Sequence, residues 1–295
     1  HPVDTCILAM FAIILGYGVR QRIALAHRLD ERDKLHFIVE AGIRKAITEA
    51  NREREEGGFR CLKDEWSSNA SAFREVAVGD GRFSIYYNYV NIETGALETR
   101  YGMVDEERKI NINRADLRTM ERLFQLVIGL DESGAQELAA CIVDWRDSDS
   151  GLSIPLGSAE DSYYTGLQHP YEAKDTEFEV LDELLLVKGV TQEIFECIKD
   201  YITIYGSGRV NINTAPGEVL LALGLNEYIV EEILSYRRGD DKTEATPDDN
   251  VFKISSNIVS ELCRFSHFST SEIELLNQIS EMHLTTNSYY FMIRS

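Results

Sequence analysis

Apolar and polar residues alternate in a septet that occurs twice in the chain, one hundred positions apart. Lys109 to Ala115 reads KININRA, Arg209 to Ala215 reads RVNINTA, and each copy is followed by a helical pattern. Alternation of Ile or Val with Asn predicts a short strand with one apolar and one polar face. The second Asn of each copy, Asn113 or Asn213, is predicted to cap the helix that follows. The chain is therefore expected to contain a strand that leads into a helix, twice.

The beginning of the chain is apolar and then becomes amphipathic. Thr5 to Val19 carries no charge, but a bilayer core needs about 20 apolar residues, so alone this segment fits a signal-peptide core, a buried helix or a membrane span. From Arg20 to Ile47 apolar residues continue at helical spacing with charges between them. This unbroken pattern predicts one helix from about Asp4 to Glu55, membrane-embedded at its start, packed on a globular domain at its end, and ended by Gly57-Gly58.

The remaining pattern predicts an α+β fold. Alternating β-formers between Phe73 and Asn113 predict antiparallel strands, among them Phe83 to Val90, with Lys109 to Asn113 closing the set. From Ala115 to about Tyr205 the spacing is helical, which indicates an inserted helical module. Strand character returns at Arg209, and helices are predicted at 216–223 and 229–236, with a last strand at 288–293.

This organisation predicts a long N-terminal helix packed on an antiparallel sheet, with an all-helical domain of helix-hairpin-helix type inserted. The predicted segments are 1–28, an apolar helix that anchors the chain in a membrane; 29–114, the first part of the α/β body; 115–207, the helical insert with an acidic loop; and 208–295, the second part of the body.

Composition narrows the possible partners. The 295 residues carry a formal charge of −20, from 50 acidic and 30 basic side chains, which makes a polyanion such as DNA a poor partner. The densest basic stretch, 52–60, is interleaved with glutamates and is typical of a solvated helix end. Neither a nucleic acid nor a small-molecule substrate is expected.

The cysteines lack the paired spacing of a zinc site. If the chain is exported, Cys61, Cys141, Cys197 and Cys263 could form disulfides in three pairings; free thiols are equally compatible with the sequence.

The loop from Asp144 to Tyr164 holds the best candidate site. It contains five carboxylates, at 144, 147, 149, 160 and 161. Their mutual repulsion is relieved if a hard divalent cation such as calcium binds several of their oxygens. An EF-hand is excluded, because Ser158 stands where that loop carries glutamate. A solvated acidic loop, or helix caps, is the alternative.

A second motif, Leu186 to Val190 followed by Ile194 and Ile198, has the outline of a helix-hairpin-helix, which can bind DNA phosphates. Its second glycine is missing and acidic residues crowd the turn, so packing of two short helices is favoured. A DNA-binding or DNA-uptake protein remains the alternative function. A metal hydrolase would need a nucleophile near the acidic loop. The sequence offers no convincing one, and the chain is not expected to be an enzyme.

Five segments in order resemble the K-type minor pseudopilins of type II secretion, also called general secretion pathway protein K. They are 110–113 (ININ), 144–149 (DWRDSD), 159–164 (AEDSYY), 184–191 (LLLVKGVT) and 210–216 (VNINTAP).

The resemblance implies a pilin-like body with a helical insert, an inner-membrane anchor and a periplasmic bulk. It also implies assembly with the I-type and J-type minor pseudopilins through the N-terminal helix, at the tip of a short pseudopilus used for protein export. Family members bind calcium in the helical domain, and the matching positions are Asp147, Asp149, Glu160 and Asp161, with Asp144 less directly matched. Residues 41–43 are expected on the helix face that meets another subunit.

Overall fold

The computed structural model describes residues 2–90, 97–155 and 157–295. By its internal packing the chain forms two compact units. The first unit contains the chain up to Ala50 together with Asn69–Gly102 and Ile293–Ser295, and the second contains Asn51–Ser68 and Met103–Met292.

One helix dominates the first unit. Helix α1 runs over Pro2–Gly57 without interruption, which confirms the predicted long helix. Gly58 follows it with φ of +65°, in the left-handed region that glycine adopts at low cost. Among the described residues, no helix is both long enough and apolar enough to cross a membrane.

The described remainder of the first unit holds a short helix and four strands. They are α2 (Ala70–Phe73), β1 (Val76–Val78), β2 (Gly81–Phe83), β3 (Tyr87–Val90) and β4 (Leu97–Arg100). Strands β1 and β2 pair antiparallel with Val76 opposite Phe83, and β3 and β4 pair antiparallel with Tyr87 opposite Arg100.

Helix α1 packs on the first hairpin through small residues. Ala46 is fully buried, and a Cβ atom at Gly42 would lie 2.9 Å from the Phe83 ring. The expectation that Gly42 faces another subunit is therefore wrong, because Gly42 provides the close approach of the helix to its own sheet.

The predicted strand from Phe83 to Val90 is two strands, β2 and β3. Between them the Ile85 N–H donates to the Phe73 carbonyl at 2.9 Å and the Tyr86 N–H donates to the Arg294 carbonyl at 3.3 Å. The backbone thus leaves one hairpin ladder to satisfy its hydrogen bonds elsewhere before joining the next.

The second unit is mainly helical. Its helices are α3 (Leu117–Ile128), α4 (Glu132–Arg146), α5 (Asp161–Tyr164), α6 (Gln192–Ile198), α7 (Gly217–Ala222), α8 (Glu227–Arg238), α9 (Ile258–Phe265) and α10 (Thr270–His283), with 3-10 turns at Glu106–Arg108, Leu181–Leu186 and Ser255–Asn257. Its strands are β5 (Val104–Asp105), β6 (Ile110–Asn111), β7 (Ile202–Thr203), β8 (Val210–Asn211), β9 (Leu284–Thr285) and β10 (Phe291–Met292).

Each septet begins with a strand that pairs in parallel with a distant one. Strand β6 pairs with β7, and β8 pairs with β9. The prediction that Lys109 to Asn113 closes an antiparallel set is therefore wrong. A parallel partner requires a crossover connection, and here the helices between the paired strands supply it.

The helices predicted after the septets are present, but their caps differ from the prediction. The N-cap of α3 is Asp116, whose side chain accepts from the Thr119 N–H at 2.7 Å, and the N-cap of α7 is Pro216. Asn113 and Asn213 do not cap these helices, because their amides bind backbone far along the chain.

The predicted α+β class with a long N-terminal helix is confirmed. The apolar septet residues lie in one core with the inner faces of the helices of the second unit. Residues 208–295, assigned by sequence to the second part of the body, hold four helices and three short strands. The predicted boundaries at 28, 114 and 207 stay predictions. Four cysteines are free thiols: Cys61 and Cys141 are buried, and Cys197 and Cys263 are exposed.

Candidate metal centre

The acidic loop begins where α4 ends. Asp131 caps the start of this helix by accepting from the Gly134 N–H, and Asp147 is its C-terminal cap in an extended conformation. Asp144 lies three residues earlier, fully buried on the inner face. The chain returns at Glu160, the extended residue that precedes the short helix α5. The end of one helix and the start of another thus bring these carboxylates together.

Three of the predicted ligands converge. Asp147, Asp149 and Glu160 each offer a carboxylate oxygen, and these atoms lie within 4.8 Å of one another. Two oxygens that bind one calcium ion at about 2.4 Å can be at most about 4.8 Å apart. The spacing of the three oxygens therefore fits a single ion of that size.

Several oxygens at this place lack hydrogen bonds. Asp144 Oδ2, Asp147 Oδ1 and Glu160 Oε1 are buried and have no hydrogen-bond partner among the described residues. Asp144 is 0% and Glu160 5% exposed. A buried carboxylate without a partner is costly, and a bound cation relieves that cost. The donor set is all oxygen, as calcium requires.

Burial and neighbouring negative charges raise the pKa of two of these carboxylates. Burial, followed by the negative charges of Asp144 and Asp147, raises the pKa of Glu160 to about 7. Burial, followed by the charge of Asp149, raises the pKa of Asp147. Without a cation, Glu160 therefore becomes protonated, and loses its negative charge, as the pH falls through about 7.

Asp161 is placed differently from the other predicted ligands. Its Oδ1 accepts from the Ala173 N–H at 2.7 Å, and it does not belong to the group formed by Asp147, Asp149 and Glu160. In this structure Asp161 joins α5 to the chain that follows it. Its role as a ligand stays a prediction.

Lys188 is a structural part of the site that the sequence did not indicate. Its Nζ donates to the carbonyl oxygens of Gly157 at 3.0 Å and Ser158 at 3.4 Å, and it lies 5.1 Å from the centre of the Tyr163 ring. The helix-hairpin-helix outline had predicted that the backbone amides of this turn could bind phosphate. Because the charge of Lys188 in the same turn is used inside the second unit, the geometry gives no support to the DNA alternative.

Buried aromatic side chains pack together beside the acidic loop. Trp145 follows the buried Asp144 in sequence, is 3% exposed, and meets Tyr164 edge-on with ring centres 5.1 Å apart. Tyr171 stacks on Tyr164 at 5.4 Å. This arrangement places a buried tryptophan in the same stretch of chain as the carboxylates, which is useful as a spectroscopic reporter.

A second acidic group lies in the loop after α8. Asp241, Asp248 and Asp249 also bring oxygens within 4.8 Å of one another. Those oxygens are already used: Asp248 accepts from two backbone N–H groups, and Asp249 accepts from the Ala245 N–H and the Thr246 hydroxyl.

Part of the chain is similar to a family of secretion proteins. Residues 92–207 match the family model described as Type II secretion system (T2SS), protein K. Similar curated proteins include type II secretion system protein K of Aeromonas hydrophila, 35% identical over 108 residues that are 35% of this chain and 32% of that protein. Another is protein K of Pectobacterium carotovorum subsp. carotovorum, 27% identical over 116 residues, 38% of this chain and 35% of that protein.

The match spans about one third of the length of these curated relatives. The fold is similar over nearly the whole chain to a chain in the crystal structure of the GspK-GspI-GspJ complex from the enterotoxigenic Escherichia coli type 2 secretion system. The TM-score is 0.67, with 15% identity, over 91% of this chain and 87% of that one.

Proposed function

We propose that this chain belongs to the protein K family of the type II secretion system and is a minor pseudopilin. The observation that carries the proposal is the family match over residues 92–207, which contain the acidic loop. The similarity of fold over 91% of the chain supports it. The role is one of assembly, and the chain needs no catalytic group for it.

Its partners are proposed to be the I-type and J-type minor pseudopilins. The solved chain of similar fold comes from a complex of GspK with GspI and GspJ. Helix α1 offers an extended surface for such partners: from Met10 to Phe37 it exposes large apolar side chains, among them Phe11, Ile14 and Leu29, each more than half exposed. Exposed apolar side chains on a helix favour burial against other helices or lipid.

The start of α1 is proposed to lie at the inner membrane, with the bulk of the chain in the periplasm. There the chain would nucleate a short pseudopilus and occupy its tip. The helical insert predicted at 115–207 would block the addition of a further subunit above it. The pseudopilus would serve protein export across the outer membrane.

The acidic loop is proposed to hold calcium in a structural role. Asp147, Asp149 and Glu160 would bind the ion, and the buried, unpartnered Oδ2 of Asp144 makes that residue a further ligand. The ion would supply positive charge where three carboxylates meet, and it would join the end of α4 to the start of α5. No step of the proposed assembly is chemical.

Assembly can be tested by mixing the purified full chain with the I-type and J-type pseudopilins of the same secretion system. We expect one complex with all three proteins, measured by size-exclusion chromatography with light scattering, and loss of type II export when the gene is deleted. Independent elution of the three proteins, with export unaffected by the deletion, would refute the proposal.

A further inference from the structure

The two septets organise the backbone around them in the same way. In the first, the Asn111 carbonyl accepts from the Arg114 and Ala115 N–H groups, at 3.0 and 2.8 Å. In the second, the Asn211 carbonyl accepts from the Thr214 and Ala215 N–H groups, at 3.1 and 2.9 Å. We call residues 110–203 the first module and residues 210–285 the second module.

The parallel strand at the end of each module repeats the match. The Ile112 N–H donates to the Thr203 carbonyl at 2.9 Å, and the Ile212 N–H donates to the Thr285 carbonyl at 3.0 Å. The hydroxyls of Thr203 and Thr285 each accept from the N–H two residues later, both at 3.2 Å. The first and last strands of one module therefore correspond to the first and last strands of the other.

Within each module the second Asn of the septet clamps a distant Phe. Asn113 exchanges two hydrogen bonds with the backbone of Phe178, at 2.8 and 3.0 Å. Asn213 does the same with Phe252, at 2.9 Å for both. Between the Asn and the Phe lie two helices followed by a loop: α3, α4 and loop 147–177 in the first module, where the loop also contains the short helix α5, and α7, α8 and loop 239–251 in the second.

An arginine at the end of the second helix also occurs in both modules. Arg146 Nη2 donates to the Ala115 carbonyl at 2.6 Å, and Arg237 Nη1 donates to the Ala215 carbonyl at 2.5 Å. Each arginine thus joins the end of its helix to the last residue of its septet.

The modules differ in what closes the loop. In the second module Arg237 Nη2 forms a buried ion pair with Glu244 at 2.6 Å, and both side chains are at most 5% exposed. Glu244 lies in loop 239–251, so this pair fixes the loop to α8. In the first module Arg146 Nη1 is buried and has no hydrogen-bond partner among the described residues.

The first loop and the end of α4 instead carry buried acceptors that have no hydrogen-bond partner in the described part of the chain. Asp144, Asp147 and Glu160 each hold one such oxygen, whereas the second loop's carboxylates bind backbone N–H groups, a hydroxyl and Arg237. Buried polar groups in folded proteins are almost always paired. Protein groups therefore satisfy carboxylates of the second loop, whereas three buried oxygens at the first loop have no such partner among the described residues.

We infer that these are two copies of one structural module, and that Glu244 does for the second loop what a divalent cation does for the first. Calcium dependence is therefore confined to the first module. This inference rests on the proposed cation site, and it adds which half of the second unit responds to the ion.

Amide hydrogen exchange of the full chain, followed by mass spectrometry of its peptides, tests both loops at once. After EDTA treatment we expect exchange in 147–177 to be at least tenfold faster than with calcium, and exchange in 239–251 to be unchanged. In Glu244→Gln we expect exchange in 239–251 to rise at least tenfold with or without calcium. The exposed Glu231→Gln, on α8, is the matched control and should change neither loop.

The outcomes separate the inference from the proposed site. If calcium protects 239–251 as strongly as 147–177, or if Glu244→Gln leaves 239–251 protected, the inference is wrong while the cation site stands. If calcium protects neither loop, the cation site itself is wrong and the inference fails with it.

Terbium, which binds in place of calcium, gives a second readout. We expect its tryptophan-sensitised emission to be lost in Trp145→Phe and kept in Trp66→Phe. Trp145 lies beside Asp144, whereas Trp66 lies near Lys63, whose Nζ donates to the Asp249 carbonyl at 2.9 Å in the second loop. The reverse result would locate the ion in the second module and overturn the inference.

Discussion

Asn213 and Phe252 form a two-bond clamp across a separation of 39 residues: the Asn213 amide donates to the Phe252 carbonyl and its oxygen accepts the Phe252 N–H, each at 2.9 Å. Phe252 is fully buried and Asn213 is 3% exposed. Asn113 makes the same clamp on Phe178. In each module one side chain therefore fixes where the chain re-enters the core after a long excursion.

Removing a clamp should lower the free energy of unfolding substantially. Asn213→Ala leaves a buried N–H and a buried C=O without partners, and each such group costs about 1–3 kcal/mol. We expect a loss of about 2–6 kcal/mol in the free energy of unfolding, measured with urea, and a similar loss for Asn113→Ala. The control is Asn277→Ala, where an exposed amide on α10 donates to a helix carbonyl; its cost should stay below about 0.5 kcal/mol. Equal costs for the control and the clamp variants would contradict this account.

The septets show what the sequence could and could not predict. Their alternation correctly predicts a strand that leads into a helix, since that pattern is local. The role of Asn113 and Asn213 was wrongly predicted as helix capping. Their partners lie 65 and 39 residues away, and no periodic signal reports a contact at that range. The parallel pairing of β6 with β7, and of β8 with β9, was missed for the same reason.

The pKa of Glu160 predicts how stability depends on pH without a cation. Burial raises this pKa to about 7, above its usual value near 4.3. Between those pH values the folded chain holds a proton that the unfolded chain has released. Stability in EDTA should therefore fall as pH rises from about 4.5 to 7. Glu160→Gln should reduce that slope, as seen in melting midpoints measured at pH 5 and pH 8. An unchanged slope in Glu160→Gln would mean that Glu160 is not the group responsible.

Lys188 should set cation affinity by anchoring the loop. Lys188→Met keeps the aliphatic stem but removes the donors to the Gly157 and Ser158 carbonyls. A hydrogen bond from a charged donor contributes about 1.5–3 kcal/mol, so we expect terbium affinity to fall roughly tenfold or more. The same substitution also removes a positive charge near the cation, and that effect alone would strengthen cation binding. Lys199→Met, at an exposed ion pair on the surface, should leave affinity unchanged. Tighter binding in Lys188→Met would show that its charge, and not its anchoring, dominates.

Replacing Gly42 with alanine should not stabilise the chain, although this change usually stabilises a helix. Replacing an exposed helical glycine with alanine gains about 1 kcal/mol, but a Cβ at Gly42 would lie 2.9 Å from the Phe83 ring and 2.5 Å from Ser295 Oγ. Overpacking of this kind costs about 1–3 kcal/mol. We expect Gly42→Ala to lower the melting midpoint of the first unit, or at best to leave it unchanged. A rise in that midpoint would show that α1 does not pack there as described.

The candidate site was predictable only where its residues are close in sequence. The crowding of carboxylates between Asp144 and Asp161 was visible, because repulsion within one loop is a local property. The burial of Asp144 and the use of Asp161 for the Ala173 N–H depend on tertiary packing. The anchoring role of Lys188 was not predicted, since its carbonyl partners lie 31 and 30 residues away in the chain.

The central claim is that a divalent cation holds the acidic loop of the second unit, and calcium-dependent melting of the full chain tests it most directly. At a hundredfold excess of calcium over Kd the ion should stabilise the chain by about 2.7 kcal/mol, a rise of roughly 5 to 10 °C in the melting midpoint. The double variant Asp147→Asn, Glu160→Gln should show no rise. A control that removes two exposed charges, Glu231→Gln with Asp240→Asn, should respond like the unmodified chain. A midpoint that calcium leaves unmoved in the unmodified chain, or moves equally in the double variant, would contradict the account.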